Sequence, residues 1–400
     1  MIGNKVVDEI LNIEAMQDCI ARRHFWIGTI PPSRLKCVFS WQQLNQVLTC
    51  ARITNDRLRL STEHDHQTPN KSVFRPVKDS FGRSTDAFSI SAFHAQLELG
   101  ATGVLEAVNE LHPYVREMTE AVSQRLYARV SANAYFSFGK TSGFGVHNDD
   151  HDVIVLQIEG RKRWQFWEGK GDKCKATVLD CESPPSTLAT EEILLGEGDV
   201  LYIPKGTWHD VIAVGEPSLH ITVSVVHPCV KEYIEWLMSK NRFQAPYRDI
   251  RLSTHEFEDA ACATKALFNA AVSPESVAEF VGLHHTRYSG FTVRPTLPQL
   301  NNASENDEFK MVSFHVIDIE RDRSEDHRQE HFRIFALGAV HTVSATGRRV
   351  LDTLMHCKVA SGQVIVDTLR RDDISSEQTL QALKNLLEQG LISKTGTSCV

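Results

Sequence analysis

Val153-Ile154-Val155-Leu156-Gln157-Ile158-Glu159-Gly160-Arg161-Lys162-Arg163-Trp164 is the stretch that decides the fold. Its first six residues are almost continuously apolar and rich in β-branched side chains, as in a strand buried on both faces. Glu159-Gly160 then supplies a turn, and Arg163–Trp167 reads as the next strand. Segments of the same kind recur on either side: Arg129–Phe138 before it, and Glu192–Leu195, Val200–Ile203, Asp210–Val214 and Leu219–Val225 after it. Gly160, Gly169, Gly198 and Gly206 stand where turns must fall. Many short strands at close spacing predict a sandwich or barrel over residues 129–228.

Around that core the pattern is helical, so the fold class is α+β. Residues 1–128 mix helices and short strands. Val6–Ile20 has helical spacing, Ser40 reads as the cap of a helix over Gln42–Val47, and 54–70 reads as a polar surface loop. Asp86–Leu126 reads as helical, with Leu105, Val108, Leu111, Val115, Met118 and Val122 on one face. Residues 229–325 are mostly helical, at Val230–Lys240, Phe257–Ala271 and Pro274–Val281, and end in a charge-dense turn over Glu320–Glu330. Residues 326–400 hold a strand-like Phe332–Leu337, helical stretches at Arg349–Met355, Gly362–Leu369 and Ser376–Gln389, and a final Leu391–Lys394, an order like that of a winged helix.

Composition narrows the function classes. The chain has 400 residues, 42% hydrophobic and 24% charged, with net charge -8, so free nucleic acid is a poor main partner and a basic peptide or protein a better one. From His341 to Val400, seven Lys or Arg face six Asp or Glu, without the basic excess of a DNA-binding domain. The nine cysteines are scattered with no CxxC pair, which reads as reduced thiols. No signal peptide or membrane-length apolar run is visible, and a cytoplasmic location is expected.

The chemistry centres on Gly145-Val146-His147-Asn148-Asp149-Asp150. On a strand, His147 and Asp149 point to one face and can reach a single ion. The third ligand expected is His209, where Gly198-Asp199 opens an apolar strand and Pro204 and Gly206 turn the chain back. Two histidines and one carboxylate leave open positions on the metal and suit a non-haem Fe(II) oxygenase. A zinc site or a metal-free barrel stays open on spacing alone.

A bidentate 2-oxo acid on such an ion needs a cation for its distal carboxylate. Lys162 and Arg163 point to opposite faces of their strand, so one of them turns inward; a solvated basic turn is the alternative. Tyr135, in Ala132–Phe138, is a candidate to assist through its hydroxyl, or an ordinary packed aromatic.

These residues carry a resemblance. Tyr135, His147-Asn148-Asp149, Gln157–Trp164, the Gly198-Asp199…Pro204…Gly206…His209 segment and His220-Ile221-Thr222-Val223-Ser224 resemble the JmjC-type ribosomal oxygenases, also described as cupin-4-like proteins. The resemblance implies a double-stranded β-helix (jelly-roll) barrel, a helical dimerisation region and a terminal winged helix. It implies a homodimeric Fe(II)- and 2-oxoglutarate-dependent hydroxylase that uses dioxygen and acts on an arginine or histidine of a ribosomal protein or other peptide. It gives His147, Asp149 and His209 the iron, Lys162 the distal carboxylate with Tyr135 beside it, and Asn133 and Ser224 positions near the cosubstrate. This sequence departs from the pattern in its acidic run Asp149-Asp150-His151-Asp152, of which His151 and Asp152 are candidates for the pocket rim or for solvated loop positions. Lysine demethylation uses the same oxidant. Hydroxylation of a ribosomally made natural-product peptide, and a non-enzymatic ligand-sensing regulator with a DNA-binding winged helix, are the other readings.

Overall fold

The computed structural model describes residues 2–50, 53–62, 68–167, 188–239, 254–286, 302–312, 319–322, 331–336 and 338–395. Contacts divide the chain into two units, residues 1–227 and 228–400.

The first unit contains strands β1 (Trp26–Thr29), β2 (Leu58–Ser61), β3 (Phe74–Lys78), β4 (Ser84–Phe88), β5 (Thr102–Leu105), β6 (Arg129–Ser137), β7 (Asp152–Glu159), β8 (Lys162–Trp167), β9 (Glu191–Leu195), β10 (Asp199–Ile203), β11 (Trp208–Ala213) and β12 (Ser218–Val226). Among the described residues they form a seven-stranded sheet, β1-β10-β7-β12-β6-β5-β2, a three-stranded sheet, β11-β8-β9, and the hairpin β3-β4. From β7 to β12 the chain passes back and forth between the two larger sheets, and every pairing is antiparallel.

The two faces of β7 explain its apolar run. Ile154, Leu156 and Ile158 join one cluster with Val6 and Ile10 of the helix Ile2–Leu11, Leu35 of the helix Pro32–Val38, and Met118 of the helix Pro113–Leu126. Val153 and Val155 face the opposite way and pack on Trp164, Phe166, Leu195, Leu201 and Ile203. Burying one such side chain contributes about 1.5–3 kcal/mol, and Leu156→Ala would cost about 2–5 kcal/mol. Alternation on β6 and β12 follows the same rule. Ala132, Ala134, Ile221 and Val223 face the helices, which leaves Asn133, Tyr135, His220, Thr222 and Ser224 facing the smaller sheet.

Gly160 is required at its turn. Its φ is +66°, and a Cβ there would lie 2.0 Å from the Pro217 carbonyl oxygen.

Three expectations for the N-terminal part need correction. Val6–Ile20 is two helices, Ile2–Leu11 and Glu14–Arg22. Ile13 between them is extended, and Gln17 Nε2 donates to the Leu11 carbonyl at 2.6 Å, capping the first helix. The polar stretch 54–70 contains β2, whose Leu58 and Leu60 are fully buried against the helices. Asp86–Leu126 is not one helical region. β4 and β5 interrupt it, Leu105 belongs to β5, and Val108, Val115, Met118 and Val122 alone form the buried helical face. Gly169 lies outside the described residues.

The second unit begins with helices Val230–Ser239, Thr254–Ala271 and Pro274–Thr286. Tyr233, Leu237 and Phe280 form a small core there, and Tyr233 Oη lies 2.5 Å from Ser276 Oγ. Strands β13 (Glu308–Met311), β14 (Ile319–Asp322), β15 (His331–Ala336), β16 (Ala339–Ser344), β17 (Val359–Ser361) and β18 (Ile392–Thr395) make two sheets, β17-β13-β18 and β14-β15-β16. The start of the charge-dense segment is therefore a strand rather than a turn; residues 323–330 lie outside the described set. Helices Ala345–Cys357, Gly362–Arg370 and Ser376–Glu388 are each capped by a serine, Ser344, Ser361 and Ser375, and pack Leu351, Leu354, Ile365, Leu383 and Leu386 into one core. Among the described residues no helix is long and apolar enough to cross a membrane.

Candidate active site

His147, Asp149 and His209 come together as one cluster, with one potential ligand atom from each lying within 4.8 Å of the others. The backbone brings them there. His147 and His209 form an isolated antiparallel bridge, with mutual N–H···O bonds of 2.9 and 2.8 Å. The Gly206 N–H donates to the Asp149 carbonyl at 2.9 Å, tying the turn before His209 to the Asp149 segment. Residues 145–151 make only that bridge and are not a regular strand, so the shared direction of His147 and Asp149 comes from these ties rather than from strand alternation.

Both imidazoles are oriented for one task. His147 Nδ1 lies 2.8 Å from the Gly145 carbonyl, and His209 Nδ1 lies 3.0 Å from the Thr207 carbonyl. A ring nitrogen beside a carbonyl must donate, so each Nδ1 carries the proton and each Nε2 is left as a lone-pair donor. His209 Nε2 is 3.8 Å from Asp149 Oδ2. Burial, and then the neighbouring His147, push His209 down to about 4, which keeps it neutral. One carboxylate and two imidazoles are a fitting donor set for a divalent metal.

Nearby polar groups hold this frame. Buried Asp210 accepts from Ser142 Oγ at 2.5 Å, and Ser142 Oγ accepts from the Gly145 N–H at 2.8 Å. Asp152 accepts from Tyr202 Oη at 3.2 Å and from the Lys205 N–H at 2.8 Å, so it staples β7 to the turn ahead of His209. His151 Nδ1 lies 2.9 Å from the exposed Asp150 carboxylate.

Deeper between the sheets, Lys162 points inward and is only 2% exposed, while Arg163 points out and pairs with Glu192 at 3.1 Å. Burial pushes the Lys162 ammonium down to about 7, and among the described residues no carboxylate pairs with it. An unpaired buried cation is costly, and an anionic ligand relieves that cost.

Tyr135, His220 and Gln157 lie in one row across β6, β12 and β7. The Tyr135 ring stacks on His220 at 4.9 Å and 3°, and Trp164 meets His220 edge-on at 5.9 Å. Burial raises Tyr135 to about 12, so its hydroxyl keeps its proton and remains a donor. Burial, and then the charge on Lys162, hold His220 well below its ordinary value. Among the described residues, His220 Nδ1, Gln157 Oε1 and Trp164 Nε1 are buried without a partner. The Lys162 cation, the Trp164 Nε1–H and an N–H at His220 Nδ1 fit an anion bearing several oxygens, whereas Gln157 Oε1 can only accept and suits the ammonium instead.

Asn133 faces the same interior, its Oδ1 accepting from the Ala107 N–H at 2.9 Å. Ser224 pairs across the strands with Ser131 and Val153 and is half-buried, nearer the metal-ligand end. Sequence reasoning assigned no role to His220, Gln157 or Trp164. Their signal was a polar or aromatic side chain at an inward position of a strand otherwise apolar.

Comparison with known proteins agrees with this geometry. A family profile described as "JmjC domain" matches residues 108–233. The "Bifunctional lysine-specific demethylase and histidyl-hydroxylase NO66" of Drosophila mojavensis is 35% identical over 203 residues, 48% of this chain and 21% of that protein. Its counterpart from Drosophila yakuba is 34% identical over 115 residues, 28% of this chain and 17% of that protein. The chain thus spans about a fifth of the length of these curated relatives. The crystal structure of ycfD from Escherichia coli aligns with a TM-score of 0.59 at 18% identity, over 95% of this chain and 98% of that one. The same bacterium's "Ribosomal oxygenase" in complex with cobalt and 2-oxoglutarate aligns with a TM-score of 0.56, 18% identity and the same coverage. At that identity the match is one of fold. The likeness to the JmjC domain lies in residues 108–233 of this chain.

Proposed function

We propose that this chain is an iron(II)- and 2-oxoglutarate-dependent dioxygenase that hydroxylates an amino-acid side chain of a protein or peptide, with arginine or histidine in a ribosomal protein favoured. One observation carries the reading: a two-histidine, one-carboxylate cluster shares an interior with a buried lysine that has no carboxylate partner among the described residues. A zinc site alone gives Lys162 no role, whereas an acidic cosubstrate chelated beside it does. The names of the relatives, a histidyl-hydroxylase and demethylase and a ribosomal oxygenase, support the substrate class.

In this reading His147, Asp149 and His209 hold the metal, each imidazole aimed by its Nδ1–H···O=C bond. When bound, iron(II) with 2-oxoglutarate and dioxygen supplies the oxidant that inserts oxygen into a C–H bond, with succinate and CO2 released. Lys162 Nζ pairs with the distal carboxylate, and the protonated Tyr135 hydroxyl donates beside it. His220 and Trp164 offer their ring nitrogens to the same ligand, Gln157 Oε1 accepts from the Lys162 ammonium, and Trp164 and Phe166 exclude water. Asn133 and Ser224 lie near the cosubstrate. We read the alternating sheets as a double-stranded β-helix, residues 229–325 as a helical dimerisation region and 326–400 as a winged-helix-like domain used for packing or substrate docking, in a cytoplasmic homodimer. The exposed positions of the helix Ser376–Glu388 include Glu377, Gln378, Gln381 and Asn385, which favours that role over DNA binding.

The test is succinate release from 2-oxoglutarate with anaerobically loaded Fe(II), started with oxygen, for the wild type and His209→Ala. The reading expects turnover that needs both iron and His209; turnover indifferent to either would refute it.

A further inference from the structure

The interior row that holds Tyr135 continues outward through Val104 of β5 to Arg59 of β2, since the three are register partners. The Arg59 guanidinium lies 3.0 Å from the Glu106 carboxylate, and its Cζ stands 5.1 Å from the centroid of the Phe144 ring. That ring is in turn 6.2 Å from the rings of both Tyr135 and His147, so the group stands directly beside the metal cluster. The Arg59 and Glu106 side chains stay 44% and 27% exposed, so the group opens to solvent.

A carboxylate beside an aromatic face is a place for a cation. One further fact says that Arg59 does not saturate it. Burial holds the Glu106 carboxyl above its ordinary value despite the opposing pull of Arg59. The backbone after Glu106 is also held in place: Ala107 adopts φ +48°, a costly conformation for a residue with a Cβ, and its N–H is tied to Asn133.

We propose that Glu106 and Phe144 form a subsite for a cationic substrate side chain beside the metal, and that Arg59 fills it in the resting protein as a stand-in. That the cation belongs to a substrate rests on the oxygenase reading; the subsite itself rests on these three side chains. An incoming guanidinium or ammonium takes the place of Arg59, which swings toward solvent. A neutral side chain has nothing to offer Glu106 and leaves Arg59 in place. The pair therefore sets specificity for the substrate side chain.

The probes are N-acetyl-L-arginine methylamide and its neutral counterpart N-acetyl-L-norleucine methylamide, titrated by ligand-observed NMR into the full chain. Arg59→Met should bind the arginine probe roughly tenfold more tightly than the wild type, the combined weight of a part-exposed ion pair and one cation–π contact. Adding Glu106→Gln should remove that gain, and the norleucine probe should show none. Arg59→Gln, which keeps a polar side chain, guards against a folding artefact and should reproduce the gain. Unchanged arginine binding in both Arg59 variants, or an equal gain for norleucine, overturns the proposal. Calorimetric binding of 2-oxoglutarate to the same Mn(II)-loaded samples separates the two ideas. A gain without 2-oxoglutarate binding sinks the oxygenase and keeps the subsite; 2-oxoglutarate binding without a gain sinks the subsite alone.

Discussion

Replacing Lys162 by methionine should make the empty protein more stable while destroying its cosubstrate site. The ammonium falls from its ordinary 10.5 to about 7 because the fold strips it of water. At about 1.4 kcal/mol per pH unit, keeping that charge inside costs on the order of 4 kcal/mol at neutral pH. A folded-state value below the unfolded one means that the unfolded chain binds more protons between about 7 and 10.5, so stability rises with pH across that window. Methionine keeps the stem and drops the charge. In urea denaturation Lys162→Met should exceed the wild type by roughly 2–4 kcal/mol at pH 7, and the gap should close toward pH 10. The same variant should bind 2-oxoglutarate at least about 30-fold more weakly, since removing one partner of a buried charge pair costs about 2 kcal/mol or more. A variant no more stable than the wild type, with a gap that ignores pH, would mean that Lys162 already has a partner. Unchanged 2-oxoglutarate affinity would refute its role outright.

The affinity of the wild type for 2-oxoglutarate should fall as pH rises above about 7, because the free site then loses the Lys162 proton that the bound site keeps; calorimetry in buffers of different ionisation enthalpy should record proton uptake on binding. His209→Ala should weaken Mn(II) binding by at least about a hundredfold with little loss of fold, read by electron paramagnetic resonance and thermal melting. Gly160→Ala should cost about 2–4 kcal/mol, since its Cβ meets the Pro217 carbonyl and its φ is left-handed; an undisturbed denaturation midpoint would contradict the turn geometry. Tyr135→Phe should weaken 2-oxoglutarate several-fold, about the worth of one hydrogen bond to a charged group, and leave Mn(II) binding unchanged.

What the sequence made legible follows from how many faces each segment buries. β7 is apolar on both faces, and its position and neighbours could be read at once. β2 could not, because Arg57, Arg59 and Asp56 give its surroundings the composition of a loop while Leu58 and Leu60 alone are buried on the helix side. β5 reads as helical because Leu105 falls at helical spacing from Val108 and Leu111, although its backbone pairs with β2 and β6. The metal cluster could be named because ligand chemistry restricts residue types. Its local geometry could not, since the ties from Gly206 to Asp149 and between His147 and His209 are long-range backbone bonds. The inward turn of Lys162 over Arg163 was undecided until the register of β8 with β11 fixed it. Glu106 and Phe144 carry no motif, and only the sheet order brings them to Arg59.

The central claim is that the triad and Lys162 hold one bidentate ligand together. Fe(II) chelated by a 2-oxo acid gains a visible charge-transfer absorption that neither component has alone. Under anaerobic conditions, the absorption should appear when the wild type receives Fe(II) and 2-oxoglutarate. It should be absent in His209→Ala and need far more 2-oxoglutarate in Lys162→Met. An absorption equal in all three proteins, or none in a wild type that binds both iron and 2-oxoglutarate, would contradict the account.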